Sequence, residues 1–238
     1  MKTVLLTGAS SGIGLATGIR LAQEGYRVFG IGRCFDDALS YPEEFHQFVC
    51  DITGTKELQK LLLRLKEEFH CIAPDVVIHN AGVGYYGLHE TLNDEAIQNL
   101  VRTNIEAPMV LTSLVLPFMK QRGNGQFIFV SSVTSRKANT YGCAYGATKA
   151  ALLSFANSLF EEVRKHNIKV TTLLPDMTDT ALYRNADFAA DETACLFAED
   201  IADMISYVLS AKEHLNLTEL TVQPQKHRIK RKIGKEDT

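Results

Sequence analysis

The 238-residue chain has no long hydrophobic segment. A membrane-spanning helix needs roughly 18 or more apolar residues in a row, and the nearest approach, residues 109–119, is interrupted by Pro117 and by two hydroxyl side chains. The apolar stretch at residues 4–6 is too short for a signal peptide, and glycines follow it at once. We therefore predict a cytoplasmic protein with no membrane partner.

The cysteines and histidines also lack the close spacings that are typical of disulfide frameworks and metal sites. The five cysteines are scattered and form no CxxC pair, and the seven histidines form no HxxxH pair. This pattern predicts reduced structural thiols rather than a disulfide framework. It predicts no metal site, because a metal site requires several ligands at short, regular spacings.

Negative charge slightly exceeds positive charge, but the two are unevenly distributed. Residues 226–238 carry six Lys/Arg and two Asp/Glu, so this end is at +4, while the remaining chain is at −7 within a net charge of −3. A basic tail can bind nucleic acid or an acidic surface, whereas most chain termini are simply solvated. We favour a solvated tail at residues 225–238, after a single domain at 1–224, and predict no nucleic-acid partner.

Short β-branched runs alternate with amphipathic helical stretches along the whole chain. Strands are predicted at 4–6, 27–31, 45–50, 76–78, 127–130, 169–174 and 219–222, and helices at 13–24, 53–69, 94–117, 145–165 and 199–210, with Thr53 as an N-cap. This alternation predicts the α/β class, as a single-domain, doubly wound (Rossmann-like) parallel sheet of about seven strands flanked by helices. Ligands of such sheets bind at the carboxyl ends of the strands.

A glycine-rich turn joins the first predicted strand to the first helix. Its glycines allow a tight turn and close approach of a phosphate, and the helix N-terminus offers unpaired N–H groups. Its Gly-x3-Gly-x-Gly spacing differs from the common G-x-G-x-x-G pattern. The turn predicts a nucleotide-phosphate site made of Gly8, Ser10, Ser11, Gly12, Ile13 and Gly14.

The ends of the second and third strands carry residues suited to the rest of a dinucleotide. An acid after the second strand would hold a ribose 2′-hydroxyl, but Arg33 stands there, and an arginine suits a 2′-phosphate. Asp51, next to Ile52, can accept a hydrogen bond from an adenine amino group or cap the following helix. The sequence leaves both roles for Asp51 open.

Two further strand ends carry small and polar residues that would surround a nicotinamide. After the fourth strand, an amide side chain can tie neighbouring strand ends together, and small residues leave room for a ribose; these are Asn80, Ala81 and Gly82. After the sixth strand, threonine hydroxyls and backbone groups can hold a carboxamide or a phosphate; the residues are Pro175, Met177, Thr178 and Thr180.

Tyr145 and Lys149 are four residues apart, and Ser132 lies thirteen residues before the tyrosine. The four-residue step puts Tyr145 and Lys149 on one helix face. A nearby ammonium should lower the pKa of a phenol, so Tyr145 is predicted to exchange a proton near neutral pH. A hydroxyl and a phenol aimed together suit a carbonyl oxygen that gains charge. No histidine or acid is placed to make Ser132 a nucleophile.

Together these motifs resemble the short-chain dehydrogenase/reductase family over residues 2–224. The family's TGxxxGxG turn matches residues 7–14, its NNAG matches residues 79–82, and its Ser, Tyr and Lys match Ser132, Tyr145 and Lys149. The family's asparagine matches Asn104. The resemblance implies that Asn104 kinks the helix in which it lies and binds a relay water. The resemblance implies Tyr145 as general acid/base and a hydride exchanged with a nicotinamide cofactor.

Three departures from the family pattern bear on this resemblance. Ser11 stands where NADP-dependent members carry Lys or Arg, so Arg33 and the serine hydroxyls must suffice for the NADP(H) that we still favour over NAD(H). Asp176 replaces a glycine and would place a negative charge beside the nicotinamide. It tolerates left-handed backbone, so the fold need not suffer. His79 replaces an asparagine and is expected to face the protein.

The resemblance implies a small carbonyl or alcohol substrate under a lid at residues 181–197. The expected pocket residues are Val83, Tyr85, Tyr86, Val133, Tyr141 and Met177. The alternative is a catalytically weak, nucleotide-binding regulatory protein on the same fold. The family also implies a homodimer or homotetramer. Small residues on the Tyr145 helix suit close helix packing across a twofold or packing on the sheet; they are Ala147, Ala150, Ala151 and Ser154.

Overall fold

A computed structural model describes residues 1–226 and 228–231. Its strands are β1 Thr3–Thr7, β2 Arg27–Gly32, β3 Phe45–Val49, β4 Val76–His79, β5 Gly125–Val130, β6 Ile168–Pro175, β7 Phe188–Ala190, β8 Glu219–Val222 and β9 Ile229–Arg231. Its α-helices are α1 Gly12–Gln23, α2 Thr55–Phe69, α3 Asp94–Val101, α4 Ala107–Arg122, α5 Cys143–Val163 and α6 Ala198–Ser210.

Seven strands form one parallel sheet in the order β3-β2-β1-β4-β5-β6-β8. Leu5 of β1 lies between Phe29 of β2 and Val77 of β4, which sets the register at the centre of the sheet. The chain winds outward in one direction from β1 and in the other from β4, so the switch point lies between these two strands. The predicted fold class, a doubly wound parallel sheet of about seven strands, is confirmed.

Alternate residues of the central strands pack into two separate cores. Leu5 and Phe127 belong to the core under α2, α4 and α5, and Leu6 and Ile128 belong to the core under α1 and α6. Because successive side chains of a strand point to opposite faces, these uninterrupted apolar runs are buried on both sides. Helices therefore cover both faces of the sheet, which leaves the ends of the strands as the place where a ligand can bind.

A π-helical segment, Arg102–Glu106, joins α3 to α4. Ala107 N–H donates to the carbonyl of Arg102, five residues back rather than four. Such bulges are frequent at functional sites because they rotate the following side chains. The sequence predicted one long helix at 94–117, which the resemblance implied is kinked at Asn104. The bulge contains Asn104, and the helical path continues past Pro117 to Arg122, where Gly123 caps it with φ of 74°.

The start of α2 differs from the expectation. Gly54 is its N-cap, whereas the Thr53 hydroxyl donates to Asp51 Oδ1 at 2.8 Å. Thr53 is therefore part of a turn formed by Asp51, and its prediction as a helix cap was wrong. The sequence could not distinguish the two, because threonine favours both positions.

A second, two-stranded sheet joins the lid segment to the basic tail. The strands β7 and β9 pair antiparallel, with Ala190 opposite Ile229. Asp191 N–H donates to the carbonyl of Arg228 at 3.2 Å, and Lys230 Nζ lies 3.5 Å from Asp191 Oδ1. Residues 228–231 of the predicted tail thus lie against the lid. The remaining basic residues of that prediction, at 232–238, lie outside the described residues.

Among the described helices, none is both long and apolar enough to cross a membrane.

Candidate active site

A cavity of about 760 Å³ opens at the carboxyl ends of β1, β2, β4, β5 and β6. Most of the predicted site residues line it: Gly8, Ser10, Ser11, Gly12, Ile13, Arg33, Asp51, Ile52, Asn80, Ala81, Gly82, Ser132, Tyr145, Lys149, Pro175, Thr178 and Thr180. Gly14, Asn104 and Met177 do not line it. The position follows from the parallel sheet, because all of its loops that follow strands meet at one edge.

The turn between β1 and α1 adopts backbone that only glycine takes readily. Gly8 has φ of 69° and Gly12 has φ of 52°, both in the left-handed region. Gly14 needs its missing side chain for another reason, because a Cβ there would lie 2.0 Å from the carbonyl oxygen of Gly8. Gly14 therefore shapes the turn from behind, without lining the cavity.

The N-terminus of α1 is left available to a ligand. Its N-cap, Ser11, makes no side-chain capping hydrogen bond, and the first turn carries no acid. By contrast, α3 is capped by Asn93, whose side chain accepts from Ala96 N–H. An uncapped helix start that faces a cavity matches the chemistry of a pyrophosphate, so the turn fits the phosphates of a dinucleotide.

Thr7 and Asn80 tie β1 to the loop after β4. Asn80 Nδ2 donates to the carbonyls of Thr7 and Gly8, at 3.1 Å each. The backbone N–H groups of Asn80 and Ala81 both donate to Thr7 Oγ1, also at 3.1 Å. The amide therefore holds the switch point together, as the sequence suggested; the part played by the Thr7 hydroxyl was missed.

Asn104 is a buried support for the loop on the substrate side. Its Oδ1 accepts from Val83 N–H at 2.9 Å, and its Nδ2 donates to the carbonyl of Val83 and to Thr148 Oγ1, at 3.0 Å each. Thr148 in turn donates to the carbonyl of Tyr145 at 2.7 Å. The side chain of Asn104 thus connects the π-helical segment to α5. Thr148 was missed, although its place one turn after Tyr145 was a usable signal.

Tyr145 is 4% exposed and lines the cavity together with Ser132. Ser132 Oγ accepts from Thr134 N–H and Thr134 Oγ1, at 3.2 and 3.0 Å. Burial raises the pKa of Tyr145 to about 12, and the neighbouring Ser132 and Tyr86 side chains, which favour the phenolate, only partly offset this. The expected lowering of this pKa was wrong for the protein alone, because desolvation of the phenolate outweighs the other effects.

Lys149 lies one turn along α5, with Nζ 5.7 Å from the centre of the Tyr145 ring. Its ammonium donates to the carbonyl of Val130 at 2.9 Å, and the side chain is 4% exposed. Burial lowers the pKa of Lys149 to about 8. The ammonium is held close to the Tyr145 ring, and because it is shielded from water it loses its proton more easily than an exposed lysine does.

Arg33 is exposed at the rim of the cavity beyond β2. The nearby acid Asp36 is used locally, because its Oδ1 accepts from Ala38 N–H at 2.9 Å, and neither Asp36 nor Asp37 lines the cavity. Asp51 does line it, although one of its carboxylate oxygens binds Thr53. The group that would meet a ribose 2′ substituent is therefore the guanidinium.

Asp176 does not have a positive φ, and both of its carboxylate oxygens accept hydrogen bonds. Within the described residues, positive φ occurs at His70 and Asn167 but at no other non-glycine residue. Asp176 therefore does not use the left-handed backbone that the sequence analysis allowed it. Its Oδ1 accepts from Met177 N–H and its Oδ2 from Gln223 Nε2, at 2.8 Å each. Asp176 lines the cavity, and these two donors stabilise its negative charge there.

An aromatic cluster centred on Tyr86 packs around the end of the cavity where Tyr145 lies. The Tyr86 ring lies 5.3 Å from the Tyr145 ring, 5.6 Å from the Tyr183 ring and 5.3 Å from the Phe188 ring. Of the expected pocket residues, Val83 and Tyr85 line the cavity, as does the start of the lid at residues 181–185. The other four expected residues do not line the cavity: Val133 and Met177 are buried, Tyr141 is half exposed to solvent, and Tyr86 packs against Tyr145 and the lid instead.

Comparison with models of known protein families shows to which family this chain belongs. The model of the short chain dehydrogenase family matches residues 2–190, which is most of the chain. The chain belongs to the short-chain dehydrogenase family. Members of this family act on small molecules with a nicotinamide cofactor. Within the described residues no cluster of metal-ligating side chains is present.

A bacterial relative resembles this family member along nearly its full length. An uncharacterized oxidoreductase of Staphylococcus haemolyticus is 31% identical over 228 residues, which cover 94% of this chain and 97% of the relative.

Solved structures show the same fold at lower identity. An alcohol dehydrogenase from Thermococcus sibiricus, complexed with 5-hydroxy-NADP, superposes with a TM-score of 0.82 at 23% identity, over 96% of this chain and 98% of that one. A 3-ketoacyl-(acyl-carrier-protein) reductase from Brucella melitensis, complexed with NADH, superposes with a TM-score of 0.83 at 21% identity, over 93% and 96%.

Proposed function

We propose that this protein is an NADP(H)-dependent oxidoreductase that interconverts a carbonyl and a primary or secondary alcohol, with Tyr145 as the general acid/base. The observation that carries the proposal is the convergence of Ser132, Tyr145 and Lys149 on the same cavity as the phosphate turn. A regulatory nucleotide-binding protein would need the turn but not a buried phenol supported by a hydroxyl and an ammonium.

In this proposal the chain supplies the proton and the bound cofactor supplies or accepts the hydride. Tyr145 donates its proton to the substrate oxygen in reduction and takes the proton back in oxidation. Ser132 orients that oxygen, since its hydroxyl lies on the same cavity as the Tyr145 phenol. Both groups act on the atom at which negative charge develops, which is where preorganised donors are most effective.

Lys149 stabilises the Tyr145 phenolate after the proton has left. Its pKa of about 8 keeps the ammonium mostly protonated at pH 7, and its hydrogen bond to Val130 fixes Nζ near the phenol. As the pH rises through 8 this ammonium loses its proton, so the stabilisation is lost. We therefore expect reductase activity to fall above pH 8, which a rate profile between pH 6 and 10 measures.

The preference for NADP(H) is proposed from Arg33. The guanidinium lies at the rim with Ser10 and Ser11, and it makes no ion pair with any residue that the structure describes. Asp36 does not line the cavity, and its Oδ1 accepts from Ala38 N–H. A planar fork of N–H donors suits a 2′-phosphate. The Thermococcus sibiricus dehydrogenase, solved with an NADP derivative, lends support by its likeness, whereas the Brucella melitensis reductase was solved with NADH.

A turnover screen tests the proposal. Ketones, aldehydes and alcohols are offered with NADPH, NADH or their oxidised forms, and the variant Tyr145→Phe is compared with Tyr207→Phe, which removes the hydroxyl of an exposed tyrosine on α6. We expect Tyr145→Phe to lower kcat about 100-fold or more, within the usual range for general acid/base groups, and Tyr207→Phe to change nothing. Full activity in Tyr145→Phe would refute the proposal.

We also propose a cytoplasmic homodimer or homotetramer. Ala147 and Ser154 of α5 are exposed, and Ala150 and Ala151 are half buried, whereas the sheet is contacted by Leu152 and its neighbours. The small residues therefore lie mostly on the outer side of the helix, which supports helix packing across a twofold over packing on the sheet. Light scattering at micromolar concentration measures the assembly; a monomer would contradict the proposal.

A further inference from the structure

The loop that follows β4, residues 80–86, runs along the cavity from its phosphate end to its lid end. The first residue of the loop donates to the turn after β1. A Cβ added at Gly82 would lie 3.4 Å from Lys149 Nζ, and a Cβ added at Gly84 would lie 3.2 Å from the Leu182 carbonyl oxygen of the lid. The loop therefore passes the phosphate turn first, then the ammonium beside Tyr145, and then the lid.

Tyr85 comes directly after this contact with the lid. The lid binds the loop at the same point, because Asn185 Nδ2 donates to the carbonyl of Gly84 at 3.4 Å. Tyr85 is half-buried and lines the cavity. It thus lies at the lid end of the cavity, where a substrate rather than the phosphates of a cofactor would meet it.

Two polar side chains next to Tyr85 fix the direction of its hydroxyl. Asn99 of α3 donates from Nδ2 to the Tyr85 hydroxyl oxygen at 2.8 Å, and Thr103 of the π-helical segment donates from Oγ1 to Asn99 Oδ1 at 3.0 Å. All three residues line the cavity. Because the amide oxygen is used by Thr103, the amide presents an N–H to the tyrosine. Each group in this chain donates to the next, and such bonds strengthen one another.

The chain ends at the proton of the Tyr85 hydroxyl. A phenolic hydroxyl can accept and donate at once, and that of Tyr85 accepts from Asn99. Within the part of the chain that the structure describes, no side chain or backbone oxygen accepts the Tyr85 proton. The cavity wall therefore carries an oriented O–H donor that the proposed proton transfer by Tyr145 does not use.

We propose that Tyr85 is a specificity-determining residue, whose hydroxyl donates to a second, uncharged oxygen of the substrate. This inference rests on the proposed function, and it names as substrates those carbonyl or alcohol compounds that carry a further hydroxyl or carbonyl group. The reacting oxygen is left to Ser132 and Tyr145. The three members of the chain are uncharged, which suits a neutral acceptor, whereas a carboxylate is bound best by a cation.

The test compares hydroxyketones of increasing length with the ketones of equal length that lack the hydroxyl. The readout is the ratio of the two kcat/KM values, because the intrinsic reactivity of each pair cancels when proteins are compared. We expect Tyr85→Phe, which keeps the ring, to lower the preference for the best hydroxyketone about 2- to 10-fold, the range of a hydrogen bond between neutral groups. The control Tyr207→Phe removes an exposed hydroxyl on α6 and should leave the ratio unchanged.

A second variant removes the donor while the Tyr85 hydroxyl stays in place. In Asn99→Asp the carboxylate can only accept, so the Tyr85 proton turns toward it and away from the substrate. We expect the same loss of preference as in Tyr85→Phe. A merely structural role for Tyr85 predicts that activity falls equally with both members of a pair, and an unchanged ratio in Tyr85→Phe would overturn the inference.

A binding measurement separates this inference from the proposed function. Absence of turnover with every carbonyl compound and alcohol would refute the proposed function. Saturation-transfer NMR of the hydroxyketones with the natural protein and with Tyr85→Phe would then decide the inference. Binding that is several-fold weaker in the variant would support it, and equal or undetectable binding would overturn it.

Discussion

The burial of His79 predicts how much stability the folded protein loses as the pH falls. It is 3% exposed, its Nε2 lies 3.0 Å from Thr112 Oγ1, and its ring stacks on Phe129 with centres 4.7 Å apart. Burial lowers the pKa of His79 from its ordinary 6.5 to about 3. Between these two pH values the unfolded chain binds a proton that the folded protein does not, so stability falls as the pH falls.

The size of the effect follows from this difference. The slope approaches about 1.4 kcal/mol per pH unit well below pH 6.5, and integration from pH 7 to pH 5 gives a loss of about 2 kcal/mol from His79 alone. The substitution His79→Asn, which restores the family's residue, removes the titrating ring. We therefore expect the variant to lose about 2 kcal/mol less than the natural protein across this pH range, whatever its stability at pH 7.

The assay is urea denaturation at pH 5, 6 and 7, followed by far-ultraviolet circular dichroism. The control is His70→Asn, because His70 is exposed and its left-handed backbone, with φ of 54°, accepts asparagine. The control should keep the slope of the natural protein. Equal loss of stability in the natural protein and in His79→Asn would refute the reasoning, since the proton uptake would then lie elsewhere.

Three further substitutions test other parts of the site. Arg33→Asp should weaken NADPH binding by about 10- to 100-fold and NADH binding far less; calorimetry measures both, and equal losses would contradict the NADP(H) assignment. Gly14→Ala should lower the free energy of unfolding by about 3 kcal/mol, because its Cβ would overlap the Gly8 carbonyl; a urea midpoint near that of the natural protein would show that the turn can relax. Lys230→Glu replaces the partner of Asp191 on the lid and should raise KM a few-fold at low salt; Lys226→Glu, with the same change of charge, should not.

The main elements of the fold could be predicted because their signals are local. Uninterrupted apolar runs such as 4–6 and 127–130 indicated buried parallel strands, and the helical stretches between them fixed the α/β class. The pair β7 and β9 gave no such signal. Each strand has three residues, and β7 includes two alanines, so neither has the length or the β-branched composition by which strands are recognised.

The site was predictable as a set of residues but not as a set of energies. Spacing brought Ser132, Tyr145 and Lys149 together, and the structure places them in one cavity. Spacing also suggested that the ammonium would lower the pKa of the phenol, whereas burial of both groups raises that of Tyr145 and lowers that of Lys149. Desolvation depends on everything packed around a group, which no local pattern contains.

The sequence by itself determined the order of the elements, the phosphate turn and the Tyr145–Lys149 pair, because each depends on residues close together in the chain. Only the tertiary structure decided which groups meet across the sheet. It packed the Tyr86 ring against the Tyr145 ring and laid β9 against the lid. These contacts join residues distant in sequence, so they depend on the packing of the whole chain rather than on any one segment.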